Sequence, residues 1–223
     1  KIIAAIHNHE VITIYDIETA YEKAILKGHK HSIHSCTFSP NAGLLASAGG
    51  DSTVRLWDTS DWKERKILRG EGIGFDSCCF SPDGKYLAAA ESALAGGFQK
   101  QNVGIRIWDA ETGEEISYLK NHKLSIGSFS FSPDGETLIS TTCDRYVRLW
   151  EVSTGKQLMR MNGHTDWVSA CCLSADGRTI VSAGRDKKVI LWDTYSGKQK
   201  AAFEGHNDWV LSCSISPDCK IVV

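Results

Sequence analysis

The sequence is poor in several things that would mark particular functions. No run of apolar residues approaches the roughly 18 needed for a membrane helix. No charge of one sign dominates: 25 Lys and Arg against 27 Asp and Glu leave a net charge of −2. A near-neutral chain has no basic footprint for a phosphate backbone, which argues against nucleic acid as a partner. No Gly-Lys-Ser/Thr follows a glycine-rich loop. Gly96-Gly97 stands in a mixed stretch with no helical pattern after it, so there is no phosphate cradle. No segment has a sustained helical period, no low-complexity linker divides the chain, and nothing reads as a secretory leader. There are only four prolines; three stand in a recurring Ser-Pro-Asp turn and the fourth in Ser39-Pro40-Asn41.

What the chain has is repetition. The stretch Gly163–Asp193 opens on Gly163-His164 and closes on Trp192-Asp193. Between them lie three short apolar runs separated by turns at Ala175-Asp176-Gly177 and Arg185-Asp186, a pattern of short strands. Stepping back from Trp192 by 42 residues reaches Trp150, and by 42 more Trp108. Trp57 lies 51 residues before that, and Tyr15 another 42. A second landmark, His29, Glu71, His122, His164 and His206, keeps the same steps. The chain is thus an array of one unit: a leading partial unit 1–27, complete units one to four at 28–69, 70–120, 121–162 and 163–204, and a trailing part 205–223.

Eight cysteines would form a disulfide framework in a small secreted protein. Here Cys36, Cys78, Cys171 and Cys213 share one position of the unit, Cys79 and Cys172 the next, and Phe129 fills the first slot where Cys is missing. A slot taken by Cys or Phe is a packing slot, and equivalent positions in separate units are too far apart to bridge. Reduced thiols point to a reducing, intracellular compartment, most simply the cytoplasm. Cys143 and Cys219 fall in turns.

The period and the Trp-Asp dipeptides at 57–58, 108–109 and 192–193, with Trp150-Glu151 as a variant, resemble the WD-repeat family of β-propellers. The resemblance implies an all-β fold of four-stranded antiparallel blades set radially around a channel. About five units form an incomplete ring, expected to be part of a propeller of seven or more blades. It also gives meaning to four residues at fixed offsets: His29, Ser47, Asp51, Trp57; His122, Ser140, Asp144, Trp150; and His164, Ser182, Asp186, Trp192. In the family such a set is a buried hydrogen-bond chain from Trp through Ser and His to Asp. A Ser-His-Asp trio that recurs three times, each closed by an indole, is structural and not a catalytic triad. Unit two has Glu71, Ala89 and Asn102 in place of His, Ser and Asp, so its blade is expected to be the more loosely held. It also carries an insert, 93–101, expected as a surface loop at the end of the propeller where the His and Asp sit.

No catalytic or cofactor motif stands out. The imidazole pairs His7/His9 and His29/His31 offer two ligands where zinc wants three or four, and no metal is expected. The expected function is a non-catalytic scaffold that binds other proteins or peptides, with no nucleic acid, membrane or small-molecule substrate. The alternative is a sensing module of a larger signalling NTPase or kinase whose catalytic domain lies elsewhere. The expected binding face centres on Trp167 and Trp209, three residues after His164 and His206, where other units have Ser32, Gly74 and Ser125. A core slot would not alternate among Trp, Ser and Gly. Arg185, just before Asp186, adds a cation, and Trp, Tyr and Arg dominate interface hot spots. The family's habit of using positions five after the His landmark adds Ser169 and Leu211, with His34 and Asp76 as counterparts in units one and two.

Overall fold

The computed structural model describes residues 1–7, 10–71, 74–92, 103–122 and 125–223, so the expected loop 93–101, Asn102 and His9 lie outside the described residues. Nineteen strands form five antiparallel sheets, and among the described residues there is no helix. The leading sheet has three strands, β1 (Ile2–His7), β2 (Val11–Asp16) and β3 (Glu22–Lys27). Unit one supplies β4 (Ile33–Phe38), β5 (Leu44–Gly49), β6 (Thr53–Asp58) and β7 (Glu64–Arg69). Unit two supplies β8 (Phe75–Phe80), β9 (Tyr86–Glu91), β10 (Val103–Asp109) and β11 (Glu115–His122). Unit three gives β12 (Ile126–Phe131), β13 (Thr137–Thr142), β14 (Tyr146–Glu151) and β15 (Gln157–Asn162). Unit four gives β16 (Val168–Leu173), β17 (Thr179–Gly184), β18 (Val189–Asp193) and β19 (Gln199–Phe203). In each sheet the strands lie in chain order, as successive hairpins require. The trailing residues hold one isolated bridge, Ile215 to Val222.

The sheets meet most closely through their first strands, β4 with β8 and β12 with β16, so they fan out from a common inner side. The ring is not closed. The core lies between successive sheets. Ala46, Ala48, Val54 and Leu56 of unit one meet Phe75, Leu87, Ala89 and Trp108 of unit two. Ile139, Leu149 and Met161 of unit three likewise meet Val168, Ile180 and Trp192 of unit four. The inner strands of a sheet are therefore covered on both faces, which is why β5 reads Leu-Leu-Ala-Ser-Ala-Gly and is buried throughout. Each closing Trp faces the preceding unit: Trp57 packs with Ile12, Ile14 and Leu26 of the leading sheet.

Two local features were not expected from the sequence. Ser81-Pro82-Asp83-Gly84 and its counterparts place glycine at positive φ, 76° at Gly84, 73° at Gly135 and 69° at Gly177, which glycine adopts without strain. In unit one, however, the left-handed residue is Ala42 at 56°, not Gly43, and in the trailing part it is Cys219 at 59°. The second feature is a bulge in the first strand of each of the four complete units. The register steps from Ile33–Gly49 to Ser35–Ala48, skipping His34. The same skip passes over Asp76, Gly127 and Ser169. A bulged residue is released from the ladder and its side chain is re-aimed.

Candidate functional site

Unit four shows the four-residue chain complete. Trp192 pairs across the ladder with Ile180, which puts Ser182 diagonally next to it on the same face. The indole Nε1–H donates to Ser182 Oγ at 2.8 Å, and His164 Nε2 lies 2.8 Å from the same oxygen. His164 Nδ1 lies 2.9 Å from both carboxylate oxygens of Asp186, which also accepts from the Thr165 amide at 2.9 Å. Unit one repeats this: Trp57 to Ser47 at 2.9 Å, Ser47 to His29 at 2.8 Å, His29 to Asp51 at 3.0 Å. Burial lowers the His29 pKa against the pull of Asp51, whereas amide and hydroxyl donors, outweighing burial, hold Asp51 down at about 2.

Unit three differs from the expected set. Trp150 and His122 reach Ser140 at 2.8 and 2.9 Å, yet His122 does not reach Asp144. Asp144 is held instead by Arg148 and the Thr142 hydroxyl, and His122 Nδ1 is buried without a hydrogen bond. The cause is one position. Units one and four have Gly49 and Gly184 there, and a Cβ would lie 2.5 Å from His29 Nδ1 or 3.0 Å from His164 Nδ1. Unit three has Thr142, whose side chain occupies the place where imidazole and carboxylate would meet. Burial, reinforced by the Arg148 charge, pushes the His122 pKa down to about 4. The signal was present in the sequence, as Gly, Thr, Gly two residues after Ser47, Ser140 and Ser182.

In unit two the same position is Glu91. It gathers other partners, so the blade does not lack a polar network. Arg106 Nε donates to Glu91 at 3.0 Å, the Tyr118 hydroxyl donates to it at 2.7 Å, and the Gly104 amide at 3.1 Å. Arg106 also pairs with Glu115 at 2.8 Å, and its guanidinium lies 4.4 Å from the centre of the Tyr118 ring. Sequence reasoning missed this network.

The candidate binding residues fall into two groups. His34 and Asp76, each released by its bulge, pair at 3.4 Å between units one and two, with His34 Nδ1–H donating to the Phe75 carbonyl at 3.0 Å. Trp167, Arg185 and Trp209 come together where unit four meets the trailing part. The Arg185 amide donates to the Trp167 carbonyl at 2.8 Å, and the Val210 amide to the Gly184 carbonyl at 3.1 Å, so both Trp-bearing segments are tied to the turn that carries Arg185. Its guanidinium carbon lies 4.1 Å from the centre of the Trp167 ring and 4.3 Å from that of Trp209. Asp166 and Asp208 accept from the amides of the residue that follows each, both at 2.7 Å. Trp167 is 42% exposed, Trp209 52% and Leu211 68%, while the intervening Val168 and Val210 are buried. Ser169 is half-buried at its bulge, with its carbonyl facing Gly127. Between units one and two the same slot is shut by backbone: a Cβ on Gly74 would lie 2.8 Å from Gly50 Cα.

The family model of the WD domain, G-beta repeat, matches residues 21–58, 113–151, 155–193 and 197–223, more than half of the chain. The chain belongs to the WD-repeat family. No curated protein matches this WD-repeat chain. The unmatched 59–112 takes in most of unit two, where Glu71, Ala89 and Asn102 replace the usual residues and Glu91 and Arg106 supply another network. WD repeats generally serve as scaffolds for protein interactions. All eight cysteines of the WD-repeat chain are free, and burial pushes the thiols of Cys78 and Cys171 up to about 12. Among the described residues no cluster of three or more His, Cys, Asp or Glu is placed to hold a metal.

Proposed function

We propose that this WD-repeat chain is a non-catalytic platform that binds partner proteins or peptides through the surface formed by Trp167, Arg185, Trp209 and Leu211, with Ser169 at its margin. The observation that carries the reading is the Arg185 guanidinium flanked by two exposed indoles. Contacts between arginine and each ring are worth about 0.5–1 kcal/mol at exposed sites, so they hold all three side chains in place before a partner arrives. Such preorganisation lowers the entropy lost on binding. Membership of a family of interaction scaffolds supports the same reading, and inert buried thiols fit a reducing, cytoplasmic setting.

The test is partner capture by the immobilised chain, comparing parent with Trp167→Ala plus Trp209→Ala. Loss of the captured partners from the folded double variant is expected. Retention of every partner would place the platform elsewhere, and the His34–Asp76 pair would then be the next surface to substitute.

A further inference from the structure

We infer that the Trp167–Arg185–Trp209 cluster is a receptor for an acidic side chain, and that its partner is a protein segment with Asp or Glu next to an apolar residue. The inference rests on the proposed platform and adds the chemistry of what it binds. Arg185 stands apart from the three buried arginines. Arg55 pairs with Glu64, Arg106 with Glu91 and Glu115, and Arg148 with Asp144. Arg185 has no carboxylate within ion-pair distance among the described residues.

The acids of its own turn and of the two Trp-bearing segments are already engaged. Asp186 holds His164 and the Thr165 amide, and Asp166 and Asp208 hold the amides of the two tryptophans. The neighbouring cations are engaged too: Lys187 donates to the Asn207 carbonyl at 2.9 Å, and Lys188 pairs with Glu204 at 2.6 Å. Cys143, the matching turn residue of unit three, is close enough to feel the Arg185 charge. A guanidinium held over two rings keeps its five N–H donors in one plane, and here none of them has a carboxylate partner among the described residues. That fork matches a carboxylate, which it can bind through two parallel hydrogen bonds. The indoles keep water off the faces, so the pair forms in a partly desolvated place where charge pairing is stronger.

The same geometry decides against a basic partner. The ring faces over which an ammonium or guanidinium ligand would sit in this cluster are already taken by Arg185 itself. Leu211, exposed two residues beyond Trp209, supplies the apolar neighbour.

The experiment is selection of random dodecamer peptides displayed on phage against the chain, followed by titration of synthetic winners. Parent, Arg185→Gln, Arg185→Lys and the double tryptophan variant are compared, each checked for folding by circular dichroism. The expected winners carry Asp or Glu beside Leu, Ile or Phe. Changing that acid to its amide should weaken binding roughly tenfold or more, and so should Arg185→Gln, because each leaves a charged group without its partner. The two changes together should cost little more than either alone, the signature of direct coupling. Arg185→Lys should fall between, since lysine keeps the charge and loses the planar fork. Basic winners, no winners, a dependence on the peptide's terminal carboxylate in place of the acidic side chain, or indifference to the acid-to-amide change would overturn the inference. Winners lost on the double tryptophan change but indifferent to Arg185→Gln would leave the platform standing and remove the acid receptor; winners indifferent to both would remove both.

Discussion

A single side chain two residues after the serine decides the fate of each polar set. Gly49 and Gly184 leave room for imidazole to meet carboxylate, and Thr142 does not. In unit four His164→Ala removes a group bonded at both ring nitrogens and leaves Ser182 and Asp186 each one partner short. The cost should be about 1–3 kcal/mol, read as a lower urea midpoint; equal midpoints for variant and parent would contradict it. His122 makes a pH prediction. Its folded pKa of about 4 lies below the ordinary histidine value of 6.5, so the folded state keeps the ring neutral while the unfolded chain takes up a proton as pH falls. The stability it contributes is full above about pH 6.5 and is lost towards pH 4. His29, also depressed by burial, adds to the same slope. Denaturation curves from pH 7.5 to 4 should therefore be flatter for His122→Gln than for parent. Giving unit three the residues of unit four, Thr142→Gly with Arg148→Ile, frees Asp144 for His122 and should raise the imidazole pKa above 4, followed by NMR titration.

At the scale of the element, unit two shows how a blade can replace one network by another. Glu91 is wholly buried and Arg106 nearly so, and they tie β9, β10 and β11 together with Tyr118. Removing Glu91 leaves the buried Arg106 with only the more exposed Glu115 and Glu71, and takes the acceptor from the Tyr118 hydroxyl and the Gly104 amide, so Glu91→Ala should cost about 3 kcal/mol. Glu71→Ala, at a side chain 82% exposed and 3.5 Å from Arg106, should change little. Equal effects in thermal melts would show that the pair does not hold the blade. The expectation of a looser second blade came from reading the missing His, Ser and Asp as a loss, because offsets in sequence report what has left a position and not what fills the space. The strands, turns and period were legible, since short apolar runs between Pro-Asp-Gly turns have few other solutions. The bulges were not: alternation with period two cannot show one residue slipped out of the ladder, and so could not say that His34, Asp76 and Ser169 are re-aimed by the same device. The meeting of Trp167, Arg185 and Trp209 was legible because two spacings, three after His and one before Asp, lead to the same turn; the placing of one guanidinium over both rings was not.

For the whole molecule, the sheets between the ends are covered on both faces, the leading sheet is covered on one, and the outer face of the last carries only the trailing residues, through Val210, Cys213, Ile215 and Val222. The leading sheet leaves Ile3, Tyr21 and Ile25 exposed, and at the last Phe203 of β19 and the trailing Ile221 and Val223 are exposed. Beside the last lies a cavity of about 630 Å³ lined by Val189, Leu191, Phe203, Ile215, Ile221 and Val222. Apolar patches of this kind on sheet faces, together with unpaired strand edges, favour association over solvation. Burying such surface is worth roughly 25 cal/mol per Å², enough for end-to-end contact once concentration offsets the loss of free motion. The chain should therefore self-associate, with its sedimentation coefficient rising across the micromolar range. Placing a charge on either end, by Ile25→Lys or Phe203→Lys, should suppress the rise, because both faces are needed for a head-to-tail contact and a lysine in either must be desolvated. Substitutions at Trp167 and Trp209 should leave it intact, since that surface lies on the loops and not on the end sheets. A single concentration-independent boundary for the parent would show that the exposed faces are too small or too polar at their margins to drive assembly. A rise abolished by Trp167→Ala would instead make the indole surface the contact between copies.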